Sequence, residues 1–331
     1  MTTLGSQQKR KPSTAWLVVL KLLITTGLLI WIFHKFDLKN FQHTLETINH
    51  NYVLLAFVLH TIAYVIFALR WWTLLRITKD CPFSRIVPAY YLGLFWNNFL
   101  PTAVGGDVVR IIKLRNSGFN TGELILSSMA DRAIGLYSIL VLGAVAFVAN
   151  TQLHIPELNF TWTLLTIVLI IGGSVALLST RCLRFFSRLF SSFENFRPAK
   201  FALSALDTVK LYVKNKSILI YVFFYSFSAQ FLIILSYMLL GAALNLNVPY
   251  GVFFAVIPVV FVASSIPISI GGLGVRESVL ISLLSLYAVN PQASMALSIV
   301  YFSMLILITL PGAVFIFNLQ RHSQPYDKIC Q

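Results

Sequence analysis

From Ser217 to Val275 the chain runs for 59 positions without an Asp, Glu, Lys or Arg. A water-soluble fold needs charged side chains spread over its surface, and a run this long supplies none. An apolar helix of about 20 residues crosses a bilayer, so the run has room for more than one. Charge is scarce elsewhere too. Of 331 residues, 57% are hydrophobic and 11% charged, against about 25% charged in soluble domains. The chain reads as an all-α polytopic membrane protein, because helices satisfy their own backbone groups in lipid.

The formal charge is +14, from 25 basic and 11 acidic residues. The basic residues sit in short loops between apolar runs. That placement points to anionic membrane lipids as partners and to topology, not to nucleic acid. Cys81, Cys182 and Cys330 are widely spaced, and the six histidines show no ligand spacing. No metal or cofactor is expected. Nucleophile elbow, Walker, dinucleotide and zinc-protease motifs are absent, so the chain does not read as an enzyme.

Hydropathy marks six full spans, at residues 14–33, 51–69, 122–148, 160–178, 218–240 and 295–317. Residues 1–330 form a single integral membrane domain. Lys9, Arg10 and Lys11 before the first span, and Arg321 after the last, put both termini in the cytoplasm. Residues 34–50 suit a short interfacial helix. Arg70, Trp71 and Trp72 close the second span and read as anchors at the inner headgroups. Residues 181–216 carry eight basic and two acidic side chains and read as a basic amphipathic linker on the cytoplasmic leaflet. Pro311 and Gly312 are expected to bend the last span. Oligomeric state is not legible.

Two interrupted segments share one skeleton, Pro-x3-Gly-Gly-x3-Arg. Pro101, Gly105, Gly106 and Arg110 align with Pro267, Gly271, Gly272 and Arg276. Proline removes a donor and glycine permits a tight turn, so each segment breaks a helix. Residues 86–106 either cross the membrane or form a hairpin that enters and leaves on one side. Basic residues on both flanks favour the hairpin. With these two broken hairpins the chain divides into units 51–149 and 217–320 of opposite orientation. That inverted repeat is the arrangement of many secondary transporters.

The charged residues beside the breaks are the candidate site. Asp107 and Arg110 share a helical face and read two ways, as phosphate contacts or as a salt bridge fixing the hairpin. Asp131 and Arg132 are adjacent and face apart on a helix, so they read either as pairing with different partners, Asp131 with Arg110 for example, or as anchors of the third span near the inner headgroups. Arg276 and Glu277 are the only charges from Ser217 to Gln320, and burying them by accident would be costly. Arginine's planar fork suits phosphate; a structural lock between the halves is the alternative. The paired glycines expose backbone N–H groups to an anion. Asn97 and Asn98, and Ser264, Ser265 and Ser269, either line a wet cavity or satisfy frayed backbone. Glu123 reads as a solvated or capping residue, and Gln230 as a helix–helix hydrogen bond.

The segments NNFLPTAVGGDVVRIIKLR, MADRAIGLYSIL and PISIGGLGVRES resemble the lysylphosphatidylglycerol synthase transmembrane-region family, also called flippase-like or UPF0104. The resemblance covers roughly residues 14–320. It implies a bacterial or archaeal inner-membrane protein whose relatives move an aminoacylated phospholipid between leaflets or accompany glycolipid, polyprenyl-linked or hopanoid pathways. It places Asn98, Pro101, Gly105, Gly106, Asp107 and Arg110 in one family site, and Asp131 and Arg132 on the following helix. Pro267, Gly271, Gly272, Gly274, Arg276 and Glu277 fall in the second site. Asp131 stands where the family often has Glu. The aminoacyl transferase domain of the full synthase is not in this sequence, so aminoacyl transfer is not expected. The reading is a flippase for a phosphate-containing lipid. The alternative is a non-transporting partner of a separately encoded lipid-biosynthetic enzyme or glycosyltransferase.

Overall fold

The computed structural model describes residues 47–98, 100, 105–115, 118–149, 212, 214–266, 269 and 272–317. Among the described residues there are nine helices and no strand. They are α1 (His50–Leu75), α2 (Phe83–Asn97), α3 (Gly105–Arg115), α4 (Thr121–Ala149), α5 (Lys216–Ala243), α6 (Tyr250–Ser265), α7 (Val275–Ser285), α8 (Pro291–Thr309) and α9 (Pro311–Phe317). The order is long, short, short, long, and then the same again. Four stretches among the described residues are long and apolar enough to cross a membrane: α1, α4, α5, and α8 continued into α9. The expected spans at 14–33 and 160–178, the interfacial segment before residue 47 and nearly all of the linker 181–216 lie outside the described residues.

The helices start where their sequences supply caps. Asn49 Oδ1 accepts from the Asn51 amide at 3.1 Å, and Asn290 Oδ1 from Gln292 at 2.9 Å with Pro291 in the first turn. These acceptors satisfy amides that the helix itself leaves open. The last span breaks at Leu310, and α9 resumes at Pro311, as proline's missing N–H dictates.

α1 and α5 form the central pair. They run antiparallel: the Asn49 amide donates to the Ala243 carbonyl at 3.1 Å, Ser236 Oγ to the Ala56 carbonyl at 3.1 Å, and Arg70 Nη1 to Ser226 Oγ at 2.7 Å. Ala56, Ala63 and Ala229 are fully buried at this seam beside Ile233, Ile234 and Tyr237. Small side chains let helices approach closely where lipid gives no hydrophobic drive. α4 packs on α1, α5 and α6; α8 packs on α5, α2 and α7; α2 packs on α3, and α6 on α7.

Arg70 and Trp71, expected from sequence as anchors at the inner headgroups, turn into the protein. α1 continues to Leu75, and both side chains are buried. Arg70 is buried because it has a carboxylate partner inside the protein, described below.

The short helices α2 and α3 lie against each other across Gly93 and Gly106. A Cβ built on Gly106 would collide with the Gly93 carbonyl oxygen and come within 2.5 Å of the Asn97 side chain. Neither neighbour has room to give, since one is backbone and the other is bonded to the Gly106 amide. Gly106→Ala is expected to cost about 1–3 kcal/mol of stability through overpacking. Unfolding of the purified protein in mixed micelles measures this, with an equal midpoint for variant and parent as the contrary result.

Candidate functional site

Asp131 sits on α4, in its first half. Its Oδ1 accepts from Arg70 Nε at 2.7 Å, and its Oδ2 lies 3.4 Å from Arg110 Nη2. Arg70 comes from α1 and Arg110 from α3, so one carboxylate joins three helices. Arg70 also donates from Nη1 to Ser226 Oγ on α5. Arg110 Nη2 meets Asp107 Oδ1 at 3.0 Å, one turn earlier on α3, and Asp107 Oδ2 accepts from Arg132 Nε. Arg70, Asp107, Arg110 and Asp131 are all buried, whereas the Arg132 side chain is 38% exposed and forms the rim. Three arginines against two aspartates leave one positive charge.

Local sequence explains the geometry. Asp131 and Arg132 point to different partners because neighbours on a helix face apart. The pairing of Asp131 with Arg110 is the one expected from sequence. Gly135, one turn after Asp131, leaves space for Arg70: a Cβ there would lie 3.1 Å from Arg70 Nη1. The Arg110 guanidinium lies 4.3 Å from the Trp71 ring centroid and 5.3 Å from that of Tyr90; Arg70 lies 4.7 Å from that of Phe67. Ring faces attract cations without accepting their N–H groups in line.

The second cluster surrounds the start of α7. Gly272 and Gly274 adopt φ of 75° and 83°, the left-handed region that glycine tolerates. Glu277 Oε2 accepts from the Gly274 amide at 2.6 Å and so caps the helix. Its Oε1 accepts from Arg276 Nε at 3.0 Å, from Arg276 Nη2 at 2.5 Å and from Ser298 Oγ of α8 at 2.9 Å. Arg276 and Glu277 are buried. The Arg276 guanidinium lies 5.4 Å from the Tyr301 ring and 5.0 Å from the Phe302 ring. Both clusters therefore have a motif arginine, a carboxylate and aromatic faces.

Rings connect them along α1. His60 and Tyr64 lie 5.2 Å apart, Tyr64 and Phe67 5.8 Å, and Arg70 covers Phe67. At the other end His60 meets Tyr301 edge-on at 5.1 Å, and Tyr301 stacks on Tyr237 at 4.2 Å.

The remaining candidates have local roles. The Gly106 amide donates to Asn97 Oδ1 at 2.9 Å. Asn98 Nδ2 donates to Thr309 Oγ1 at 2.8 Å and ties α2 to α8. Gly105 starts α3 and is buried. Ser264 and Ser265 donate to carbonyls of their own helix, and Glu123 Oε2 accepts from the Asn120 amide. Pro101, Pro267 and Gly271 lie outside the described residues. Sequence reasoning missed Arg70, Ser226, Ser298, Tyr301 and His60. One signal points to some of them: the offset that separates Arg110 from Arg276 also separates Trp71 from Tyr237 and His60 from Ser226.

Comparison with known proteins covers both clusters. A family model described as the lysylphosphatidylglycerol synthase TM region matches residues 18–312. A UPF0104 membrane protein of Methanothermobacter thermautotrophicus is 24% identical over 283 residues, which are 77% of this chain and 80% of that protein. A UPF0104 membrane protein of Pyrococcus horikoshii is 25% identical over 167 residues, 48% of this chain and 50% of its own.

Removing one member of a buried charge network strands the others. Asp131→Asn is expected to destabilise the protein by about 3 kcal/mol or more. Asp80→Asn, which loses the exposed i,i+4 pair with Arg76, costs less than about 1 kcal/mol. Thermal unfolding in detergent separates the two; equal midpoints would show that Asp131 is not the counter-ion the network rests on.

Proposed function

We propose, from the premise that this chain belongs to the lysylphosphatidylglycerol synthase TM-region family, that it moves a phosphate-containing lipid between the leaflets of the cytoplasmic membrane. The chain is an integral membrane protein, and its family connects it with membrane-lipid biology. The observation that carries the proposal is the pair of buried arginines on interrupted helices, joined by a stripe of rings. Charge buried at membrane depth is costly and marks a pathway more often than a packing site.

The two units act as an inverted repeat. The support is threefold: the order of long and short helices recurs, α1 and α5 run antiparallel, and most packing pairs exchange, α4 on α5 excepted. α2 on α3 corresponds to α6 on α7, α3 on α4 to α7 on α8, α1 on α4 to α5 on α8, and α4 on α6 to α8 on α2. Under this exchange Trp71, which lies beneath Arg110, takes the place of Tyr237, which stacks on the ring beside Arg276. The paired short helices are the re-entrant hairpins of such a transporter.

The headgroup enters between the units while the chains stay in lipid. Arg132, half exposed at the rim, meets the phosphate first. Arg110 then takes it, because its 3.4 Å contact with Asp131 is long for a charged pair and Asp131 keeps Arg70 at 2.7 Å. A phosphate replaces a carboxylate on the same fork without leaving a guanidinium bare. Arg276 supplies the equivalent site in the other unit. No bond in the lipid is made or broken. Both termini lie in the cytoplasm, and the basic loops hold anionic lipids at that face.

Proteoliposomes with a tail-labelled phospholipid and an impermeant quencher test this. The wild-type protein is expected to raise the exchange rate over empty vesicles. The double variant R276M/E277Q removes the buried pair without stranding a charge and is expected to lose most of that rate, at least tenfold, while eluting as a folded species. A wild-type rate no higher than that of empty vesicles, or a double variant as fast as wild type, rejects the reading.

A further inference from the structure

Between the two arginine clusters the facing sides of α1 and α5 carry polar groups that have no hydrogen-bond partner among the described residues. His60 is fully buried, and neither of its ring nitrogens has a hydrogen-bond partner among the described residues. Its ring is fixed by Tyr64 at 5.2 Å and Tyr301 at 5.1 Å. On α5, Gln230 is buried, and its Oε1 is likewise without a partner among the described residues. Gln230 lies one turn after Ser226, which Arg70 holds, and two turns before Tyr237, which stacks on Tyr301. Helical spacing puts Ser226, Gln230 and Tyr237 on one stripe. The sequence leads to expecting a helix–helix hydrogen bond for Gln230, and its acceptor oxygen makes none here.

Unpaired buried polar atoms cost free energy, and leucine or phenylalanine would fill these positions without that cost. They are explained if a passing group supplies the partners. That group is uncharged. No Lys, Arg, Asp or Glu lies on α1 between His50 and Leu69, or on α5 after Lys216. A cation crossing here would find arginines at both ends and no carboxylate of its own in between. A neutral imidazole offers one donor and one acceptor, and an amide oxygen is an acceptor. A hydroxyl both donates and accepts, and so matches them.

We propose that His60 and Gln230 form an uncharged hydrogen-bonding station between the arginine clusters, which takes the hydroxyl groups of the lipid headgroup in transit. The preferred substrate is then a phosphodiester lipid with a polyol or sugar headgroup, rather than one with a cationic aminoacyl headgroup. The inference rests on the transport reading above and adds the class of headgroup to it.

Two tail-labelled probes of equal charge separate the ideas: phosphatidylglycerol, whose headgroup has hydroxyls, and phosphatidylmethanol, whose headgroup has none. In proteoliposomes of the full chain the glycerol probe is expected to move roughly three- to tenfold faster, the value of one neutral hydrogen bond or slightly more. His60→Phe brings that ratio to about one, and His60→Gln, which keeps a donor and an acceptor, restores part of it. Gln230→Leu lowers the ratio too, and carries the test if His60→Phe does not fold. Both probes moving at one rate in the wild type, or an unchanged ratio in the folded variants, overturns the station and leaves transport standing. Neither probe moving faster than in empty vesicles overturns both.

Discussion

Asp131 carries two arginines at once, and the arrangement of the first unit depends on it. A guanidinium taken out of water loses several kcal/mol of hydration, which only a close anion and further hydrogen bonds recover. Arg70 arrives on α1 and Arg110 on α3, and among the described residues neither has another buried carboxylate except the Asp107 that Arg110 shares with Arg132. α4 is thus fixed against α1 and α3 by charge as well as by packing. Ser226 extends the tie to α5. Four helices meet at this point, contributed by both halves of the chain.

The second cluster solves the same problem locally. Arg276 and Glu277 are neighbours on one helix, and the carboxylate also caps that helix through the Gly274 amide. Among the described residues, only Ser298 brings in another element through a hydrogen bond. The two designs respond differently to motion. An ion pair between adjacent residues keeps its length when neighbouring helices shift. A network spread over four helices lengthens some contacts and shortens others. Under the proposed rocking of the two units, the first cluster would be the one whose grip changes, beginning at the 3.4 Å contact of Arg110 with Asp131.

The parts of this site that read directly from sequence are those that break a rule. Glycine pairs after proline interrupt apolar helices, so α2 ends and α3 begins where the first Pro-x3-Gly-Gly skeleton stands. Arg276 and Glu277 are visible because nothing else near them is charged. The inward turn of Arg70 and Trp71 is not legible, because an arginine beside tryptophans near a helix end looks the same in one dimension whether it faces headgroups or Asp131. The fold decides, by placing Asp131 of α4 against Arg70. His60 and Ser298 give no signal as single letters, and Gln230 only that of a lone polar residue in a span: neutral polar residues are tolerated there, and their meaning lies in what the fold places beside them. The repeat makes some of them legible after the fact, since the offset between the two arginine motifs also carries His60 onto Ser226 and Tyr64 onto Gln230.

The aromatic setting of both motif arginines suits the exchange of one oxygen ligand for another that the proposed transport requires. A guanidinium held only by carboxylates would be locked, because each N–H that points at an oxygen must first lose it in a low-dielectric site. Rings hold the cation differently. Trp71 and Tyr90 at Arg110, and Tyr301 and Phe302 at Arg276, attract it through their electron-rich faces, at about 0.5–2 kcal/mol each. That attraction engages the flat of the group and leaves the fork of donors at its edge. In the proposed cycle the arginine would stay in place while a carboxylate withdraws and a phosphate arrives. A buried arginine on aromatic rings is in this sense a charge that keeps its position without being saturated, which is what a site that must both take and release an anion requires.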